Sequence, residues 1–175
     1  QWDAVDLAKA IRLRKISSYE ATKACLDRLD SVNPKLNAIT FQIAGQALRD
    51  AEAADAAVKA GEALGPLHGV PVSTKENIDQ KDLPTPNGVV AYKDVIAPPD
   101  SPVVANWRKA GAVFIGRTNA PAYSLRWDTD NALRGRTYNR WAKGRTPGGS
   151  SGGAGSAVAA GIGPISHGND YGGSI

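Results

Sequence analysis

Two glycine-rich segments near the end of the sequence, each carrying serine, are its most informative feature. They read GGSSGG at residues 148–153 and DYGGSI at residues 170–175, and the segment GVPVSTKEN lies upstream at residues 69–77. These segments supply Ser150, Ser174 and Lys75. Because a hydroxyl is a poor nucleophile until a base takes its proton, a lysine and two glycine-flanked serines predict a proton relay that ends at a nucleophile.

The composition is that of an ordinary globular protein. The chain has 175 residues, of which 42% are hydrophobic and 22% charged, so a single domain with one core is expected. Its net charge is +4, and the basic residues are spread along the chain rather than clustered. This charge pattern does not favour a nucleic-acid partner.

Cysteine content and hydropathy indicate the compartment. Cys25 is the single cysteine, so no intrachain disulfide can form. No apolar run in the sequence is long enough to span a bilayer, and the N-terminal region lacks the apolar segment of a signal peptide. These features predict a cytoplasmic protein with no membrane contact.

Helical and strand patterns alternate in the first half of the chain. Ser17 and Glu20 match a capping box that begins a helix, and the Asn33-Pro34 pair predicts where that helix stops. Residues 70–74 are predicted to form a buried strand that carries Lys75 at its end.

The second half continues this alternation. Residues 79–100 contain four prolines and little periodicity, which predicts a long surface connection. Ser101 and Pro102 have the residue types of a helix N-cap and first helical position. Residues 152–161 predict a helix of small residues. Because helices and strands alternate throughout, the sequence predicts an α/β fold.

Two short patterns within residues 148–153 suggest other functions but lack the context that each requires. The glycines are suited to a phosphate ahead of a helix, yet the lysine of a phosphate-binding loop is missing. The pattern G-x-S-x-G would make Ser150 a hydrolase nucleophile, which needs an acid and then a histidine downstream. Here His167 precedes Asp170, and His68 lies upstream of Ser150.

Taken jointly, the motifs resemble those of the amidase signature family. The lysine segment and the two glycine-rich segments stand in the family's order, with a separation of Lys75 and Ser150 that suits it. Further matching pieces read GRTNAP at residues 116–121, WDTDN at 127–131 and GRTYN at 135–139. The likeness covers nearly the whole chain. It implies a mixed, twisted β-sheet core covered by α-helices, of which this chain forms the N-terminal portion.

The resemblance implies a role for each member of the relay. Ser174 is the acyl-accepting nucleophile, Ser150 is a bridging serine held by a cis peptide bond, and Lys75 is the base. Physical chemistry agrees with the last assignment, because burial disfavours the charged form of a lysine and lowers its pKa. A neutral Lys75 can take a proton from Ser150, which takes one from Ser174.

Further residues are assigned to the site on the same resemblance. The backbone N–H groups that precede and include the nucleophile are predicted to form an oxyanion hole, at Tyr171, Gly172, Gly173 and Ser174. Ser151 and Asp170 are predicted hydrogen-bonding supports. Thr129 and Asp130 are predicted to brace the site from the loop that precedes it.

The sequence departs from the family pattern in two places. Asn169 stands in the segment Gly168-Asn169-Asp170, where family members often have threonine or serine. The arginine that usually follows the Gly-Gly-Ser-Ile segment is not reached, because Ile175 is the last residue given. We therefore expect residues 1–175 to be the N-terminal part of a single amidase signature domain that continues beyond Ile175.

The resemblance implies an amidohydrolase that cleaves a carboxamide through an acyl-enzyme. The substrate would be a small-molecule amide, and a homo-oligomer is left open. Two alternatives stay open: an amidotransferase A-type subunit that releases ammonia from glutamine and acts with partner subunits on tRNA, and a catalytically silent binding scaffold. His68 and His167 are assigned structural roles, since the relay needs no imidazole. The sequence has no Cys, His and Asp cluster with the spacing of metal ligands, so no metal is expected, and no cofactor is expected either.

Overall fold

A computed structural model of the chain describes residues 2–96 and 99–175, and a four-stranded sheet lies at its centre. The strands are β1 (Ile39–Gln42), β2 (Pro71–Lys75), β3 (Val113–Thr118) and β4 (Ile165–Ser166). They follow the order β1-β3-β2-β4 across the sheet. β3 pairs in parallel with β2 and antiparallel with β1, and β2 also pairs in parallel with β4. The predicted α/β fold with a mixed sheet is therefore confirmed.

Five α-helices in the described residues surround this sheet. They are α1 (Ala4–Arg12), α2 (Ser18–Leu36), α3 (Ala44–Ala60), α4 (Pro102–Lys109) and α5 (Gly152–Ala159). Short 3₁₀ turns occur at Val90–Tyr92 and Ala122–Ser124. None of the helices seen in residues 2–96 and 99–175 is long and apolar enough to cross a bilayer.

The predicted helix starts are confirmed. The Ser17 side chain accepts the backbone N–H of Glu20, and the Glu20 carboxylate accepts that of Ser17, which completes the capping box of α2. Ser101 Oγ caps α4 by accepting the backbone N–H of Val104 at 3.4 Å, and Pro102 stands at the first helical position. These local bonds satisfy N–H groups that have no partner inside the helix.

The predicted end of α2 at Asn33-Pro34 is wrong, because the helix continues to Leu36. Pro34 removes one hydrogen-bond donor but lies within the last turn, where only a few residues follow. The helix ends at Asn37, which adopts a left-handed conformation with φ of 51°. Asn33 Oδ1 accepts the N–H groups of Ala38 and Ile39, each at 2.9 Å, and so links α2 to β1.

The core occupies both faces of the sheet. Successive residues of β3 alternate between them: Val113 and Ile115 contact one apolar cluster and Phe114 contacts the other. Every residue of β2 and β3 is buried, as expected for central strands covered on both sides. Lys75, the last residue of β2, therefore emerges at a covered edge of the sheet.

The connection at residues 79–100 is long, as predicted, and it is anchored to β3. The buried Arg117 guanidinium donates to the carbonyl oxygens of Ile78 and Pro84. An isolated antiparallel bridge pairs Pro84 with Ile96. Ala97 and Pro98, which belong to the predicted connection, lie outside the described residues.

Candidate active site

Lys75 lies fully buried at the end of β2 and contacts three oxygen atoms. Its Nζ atom lies 2.6 Å from Ser150 Oγ, 3.1 Å from Ser151 Oγ and 2.8 Å from Asn169 Oδ1. Burial lowers the pKa of Lys75 to about 8, although the charge of Asp170 acts in the opposite direction. A lysine with such a pKa is neutral often enough near neutral pH to accept a proton.

The glycines around Ser150 allow the backbone to approach its neighbours closely. A Cβ atom on Gly149 would lie 2.5 Å from the carbonyl oxygen of Arg126, and one on Gly152 would lie 2.3 Å from Thr129 Oγ1. Such distances are too short for carbon, so only glycine fits at these two positions. The peptide bond between Gly149 and Ser150 is cis.

Thr129 bonds to two glycines of the segment at residues 148–153. Its buried Oγ1 atom donates to the carbonyl oxygen of Gly148 at 2.9 Å and accepts the N–H of Gly152 at 3.1 Å. These bonds connect Thr129 to the segment of Ser150, and its role in bracing the site stays a prediction. Asp130 is exposed, and in the described part of the chain its side chain makes no hydrogen bond with the site.

A buried amide network behind Thr129 was missed by the sequence analysis. Asn131 Nδ2 donates to Asn119 Oδ1 at 2.8 Å, and Asn119 Nδ2 donates to Thr137 Oγ1 at 3.0 Å. The N–H of Thr137 in turn donates to the carbonyl oxygen of Thr129 at 2.8 Å. The motifs GRTNAP, WDTDN and GRTYN thus meet in space. The signal for this network was the asparagine in each of two motifs, Asn119 in GRTNAP and Asn131 in WDTDN, whereas GRTYN contributes Thr137.

Asp170 holds the loop that carries Ser174. Asp170 Oδ1 accepts the N–H of Gly173 at 2.6 Å, and Oδ2 accepts that of Ile175 at 3.0 Å. The neighbouring N–H groups, that of Ser174 foremost, hold the pKa of the Asp170 carboxyl below its ordinary value. Asp170 thus bonds within the loop that carries Ser174, and its supporting role in the site stays a prediction.

Ser151 connects the loop that carries Ser174 to Lys75. Its Oγ atom contacts Lys75 Nζ, and its backbone N–H donates to the carbonyl oxygen of Ser174 at 3.1 Å. Across residues 2–96 and 99–175, no hydrogen bond joins the hydroxyls of Ser150 and Ser174. The structure therefore brings Lys75 and Ser150 into contact and places Ser174 beside them through Ser151.

In the segment predicted to supply the oxyanion hole, at least one backbone N–H group already makes a hydrogen bond within the protein. Gly173 adopts a φ of 98°, a left-handed conformation that favours glycine, and its N–H donates to Asp170. The carbonyl oxygen of Gly172 accepts the indole N–H of Trp127 at 3.2 Å. The Tyr171 side chain is fully exposed. In this conformation, the Gly173 N–H is directed at Asp170 rather than at the site of a ligand.

A cavity of about 420 Å³ opens beside Ser174. Its polar wall includes one serine from each glycine-rich segment, Ser151 and Ser174, together with Ser166. Its apolar wall is formed by Trp127, Pro147, Ala154, Val158 and Ile175. An apolar group bound here would lie next to the residue predicted to be the nucleophile.

The two histidines make packing and backbone contacts. His68 Nε2 lies 2.9 Å from the carbonyl oxygen of Ala54. The ring of His167 packs edge-on against Trp107 with a centroid distance of 6.2 Å, and burial lowers the pKa of His167. Among the residues that the structure describes, no group of three or more His, Cys, Asp and Glu side chains is arranged to hold a metal ion.

The chain belongs to the amidase family, since the family model described as Amidase matches residues 20–175. The predicted membership of the amidase signature family is confirmed. An indoleacetamide hydrolase from Bradyrhizobium diazoefficiens is 57% identical over 175 residues, which are 100% of this chain and 33% of that protein. The A-type subunit of a glutamyl-tRNA(Gln) amidotransferase from Acidothermus cellulolyticus is 43% identical over 98% of this chain and 34% of its own length.

Solved structures agree with this assignment. A fatty acid amide hydrolase superimposes with a TM-score of 0.95 at 35% identity, over 99% of this chain and 31% of that one. A 6-aminohexanoate cyclic dimer hydrolase superimposes with a TM-score of 0.90 at 34% identity, over 99% of this chain and 35% of that one. The chain spans about a third of the length of the curated relatives named above. Continuation of the domain beyond Ile175 stays a prediction.

The contacts of Thr129 predict a measurable loss of stability on substitution. Thr129→Val keeps the side-chain shape but leaves the buried N–H of Gly152 without its acceptor, so unfolding should become easier by about 1–3 kcal/mol. Urea unfolding followed by circular dichroism measures this change. Asp130→Asn is the control, because the exposed Asp130 side chain should contribute little. Equal stabilities for the two variants would contradict the bracing role.

Proposed function

We propose that the whole protein is an amidohydrolase that cleaves the C–N bond of a carboxamide through Lys75, Ser150 and Ser174. The observation that carries this proposal is the contact of 2.6 Å between Lys75 Nζ and Ser150 Oγ in a buried site. Membership of the amidase family supports the reaction class. The low pKa of Lys75 supports its role as a base.

The proposed reaction begins with a neutral Lys75. Lys75 takes the proton of the Ser150 hydroxyl, and Ser150 takes that of Ser174, so that Ser174 Oγ attacks the carbonyl carbon. This step needs the two serine hydroxyls within hydrogen-bond reach, about 2.6–3.2 Å. A bond forms between Ser174 Oγ and carbon, and the carbonyl oxygen becomes an oxyanion.

The proton then returns through the same groups. Ser150 gives a proton to the amide nitrogen and regains one from Lys75, the C–N bond breaks, and ammonia or an amine leaves. Water attacks the acyl-enzyme that remains, its proton passes back through Ser150, and the carboxylic acid is released from Ser174. Reactants and products balance as amide plus water to acid plus amine.

The oxyanion hole is proposed at the N–H groups of Tyr171, Gly172 and Gly173. Such donors, aimed at the developing charge, typically accelerate reactions by about a hundred- to a thousand-fold each. The Gly173 N–H would have to exchange the Asp170 carboxylate for the substrate oxygen. Ser151 acts through its contact with Lys75 and its backbone bond to Ser174.

We further propose an aromatic acetamide as the substrate. The support is the similarity to an indoleacetamide hydrolase and the apolar wall of the cavity beside Ser174, in which Trp127 presents an exposed indole. Aromatic rings stack on such a surface with a gain of about 0.5–1.5 kcal/mol beyond area burial.

A second candidate is an amidotransferase A-type subunit, favoured by the identity of 43% with such a protein. It would release ammonia from glutamine and depend on partner subunits. The silent-scaffold alternative predicts binding without turnover.

The cytoplasmic location, the lack of membrane contact and a homo-oligomeric state stay predictions, as do the small-molecule substrate and the absence of a cofactor.

A fluorophosphonate provides the direct test of the nucleophile. We expect one adduct on Ser174 in the whole protein, no adduct in Ser174→Ala, and labelling slowed by at least about a hundred-fold in Lys75→Ala because the base is lost. Intact mass and peptide mapping measure the adduct, and circular dichroism checks that each variant is folded. An adduct on another residue in Ser174→Ala would show that the nucleophile is misassigned.

The pKa of Lys75 sets the expected pH dependence. Because the base must be neutral, the second-order labelling rate should rise with pH, bend at about pH 8 and level off above it. Fluorophosphonate labelling that is quenched at set times, between pH 6 and pH 10, measures this profile. A rate that falls with increasing pH over this range would contradict a lysine base.

Trp127 provides a test of the substrate class. Trp127→Ala should raise KM for indoleacetamide by up to about tenfold relative to Trp127→Phe, because only the alanine variant loses the aromatic surface for stacking. Both variants lose the indole N–H bond to Gly172, so hydrolysis of acetamide should change to the same extent in the two. Ammonia release measures both reactions. Glutamine turnover that appears only when amidotransferase partner subunits are added would favour the second candidate and count against the aromatic acetamide.

A further inference from the structure

Asn169 lies between the catalytic lysine of the proposed function and a second asparagine, Asn77. Asn169 Oδ1 lies 2.8 Å from Lys75 Nζ and 3.1 Å from Asn77 Nδ2. Asn169 Nδ2 returns a bond to Asn77 Oδ1 at 3.2 Å. The two amides therefore face each other as a reciprocal pair, and the oxygen of one of them is shared with the lysine.

The orientation of this amide pair is determined by its neighbours. Asn77 Nδ2 also donates to Ser124 Oγ at 2.9 Å, and Ser124 Oγ donates to Asn87 Oδ1 at 2.8 Å. Because Asn77 presents its donor side to Asn169 Oδ1 and its acceptor to Asn169 Nδ2, the side-chain oxygen Oδ1 of Asn169 is directed at Lys75. A flipped Asn169 would set two donor groups against each other.

Ser151 also presents an acceptor to Lys75. Its hydroxyl donates to the main-chain carbonyl oxygen of Asn169 at 3.2 Å and accepts the main-chain N–H of Asn169 at 3.3 Å. One of its two lone pairs is therefore left for the N–H of Lys75 at 3.1 Å. A neutral lysine has two N–H donors and one lone pair. With the donors directed to Ser151 Oγ and Asn169 Oδ1, the lone pair faces Ser150.

The charges around Lys75 explain why a neutral acceptor matters at position 169. Asp170 lies in the loop that carries Ser174, and its charge favours the charged form of Lys75. His167, which approaches from the end of β4, has its pKa lowered by burial and by the charge of Lys75. Glu76 directs its carboxylate away, to the Gly88 N–H, Thr40 and Arg134. The groups in direct contact with Lys75 Nζ are two hydroxyls and one amide.

We propose that Asn169, held by Asn77, is a positioning residue that directs the lone pair of Lys75 at the Ser150 hydroxyl without adding a negative charge to the site. This proposal rests on the proposed function, in which Lys75 is the base. Asn169 acts through Lys75 and is not itself assigned a contact with the substrate.

The test is the pH profile of fluorophosphonate labelling of Ser174 in the whole protein. Asn169→Asp keeps the shape but places a carboxylate against the lysine, which should move the acid limb of the profile upward by about one pH unit or more and slow labelling at pH 7 about tenfold. Asn169→Leu removes the acceptor for the charged form, so its acid limb should move downward and its plateau rate should fall. If the role of Asn169 were merely structural, these two variants would not shift the acid limb of the pH profile in opposite directions.

Further variants distinguish a failure of the role proposed for Asn169 from a failure of the assignment of Lys75 as the base. Asn106→Asp makes the same charge change on the exposed surface of α4 and should leave the profile unchanged. Asn77→Leu should lower the plateau without an upward shift. If Asn169→Asp and Asn169→Leu both keep the wild-type profile while labelling of Lys75→Ala is slowed by at least about a hundred-fold, the role of Asn169 is overturned and the base assignment survives. If Lys75→Ala is labelled at the wild-type rate, the proposed function fails, and the role of Asn169 fails with it.

Discussion

The arrangement around Lys75 depends on burying an amine without giving it a carboxylate partner. A buried lysine beside a carboxylate would hold its proton, because an opposite charge at contact distance favours the charged form. Here Nζ contacts the hydroxyls of Ser150 and Ser151 and the amide oxygen of Asn169. These contacts satisfy the polar group but leave burial as the dominant influence on the pKa. The adjacent carboxylate of Glu76 is occupied elsewhere, by Gly88, Thr40 and Arg134.

Bringing Ser150 to that lysine requires close backbone contact, which explains the glycines. Side chains at positions 149 and 152 would collide with the chain around Thr129, and Thr129 itself bonds to both ends of the segment. Behind Thr129, the amides of Asn119 and Asn131 join three motifs that are far apart in sequence. These buried polar bonds are satisfied within the protein, so the loop keeps one conformation without a large apolar core of its own.

The fold was predictable where local chemistry decides it and less so where tertiary contacts do. The capping box of Ser17 and the proline-led start of α4 were predicted correctly, since the bonds involved join residues three positions apart. The end of α2 was predicted wrongly, because Asn33 and Asn37 stabilise a last turn that contains Pro34. Of the two bracing residues predicted in one loop, Thr129 is buried at the site and Asp130 is exposed. Asn169 was noticed only as a departure from the family pattern, since no local rule relates it to Lys75.

By itself the sequence determined the residue types, their order and the family, because glycine-flanked serines and a strand-end lysine are local features. It also determined that Lys75 would follow a buried strand. Only the tertiary structure decided which oxygens surround the lysine, since β2, the glycine-rich segment and the loop of Asn169 are distant in sequence and meet through sheet pairing and helix packing. The physical reason is that the pKa of Lys75 and the direction of its lone pair depend on the groups that surround it in space. The order of residues along the chain does not specify those neighbours.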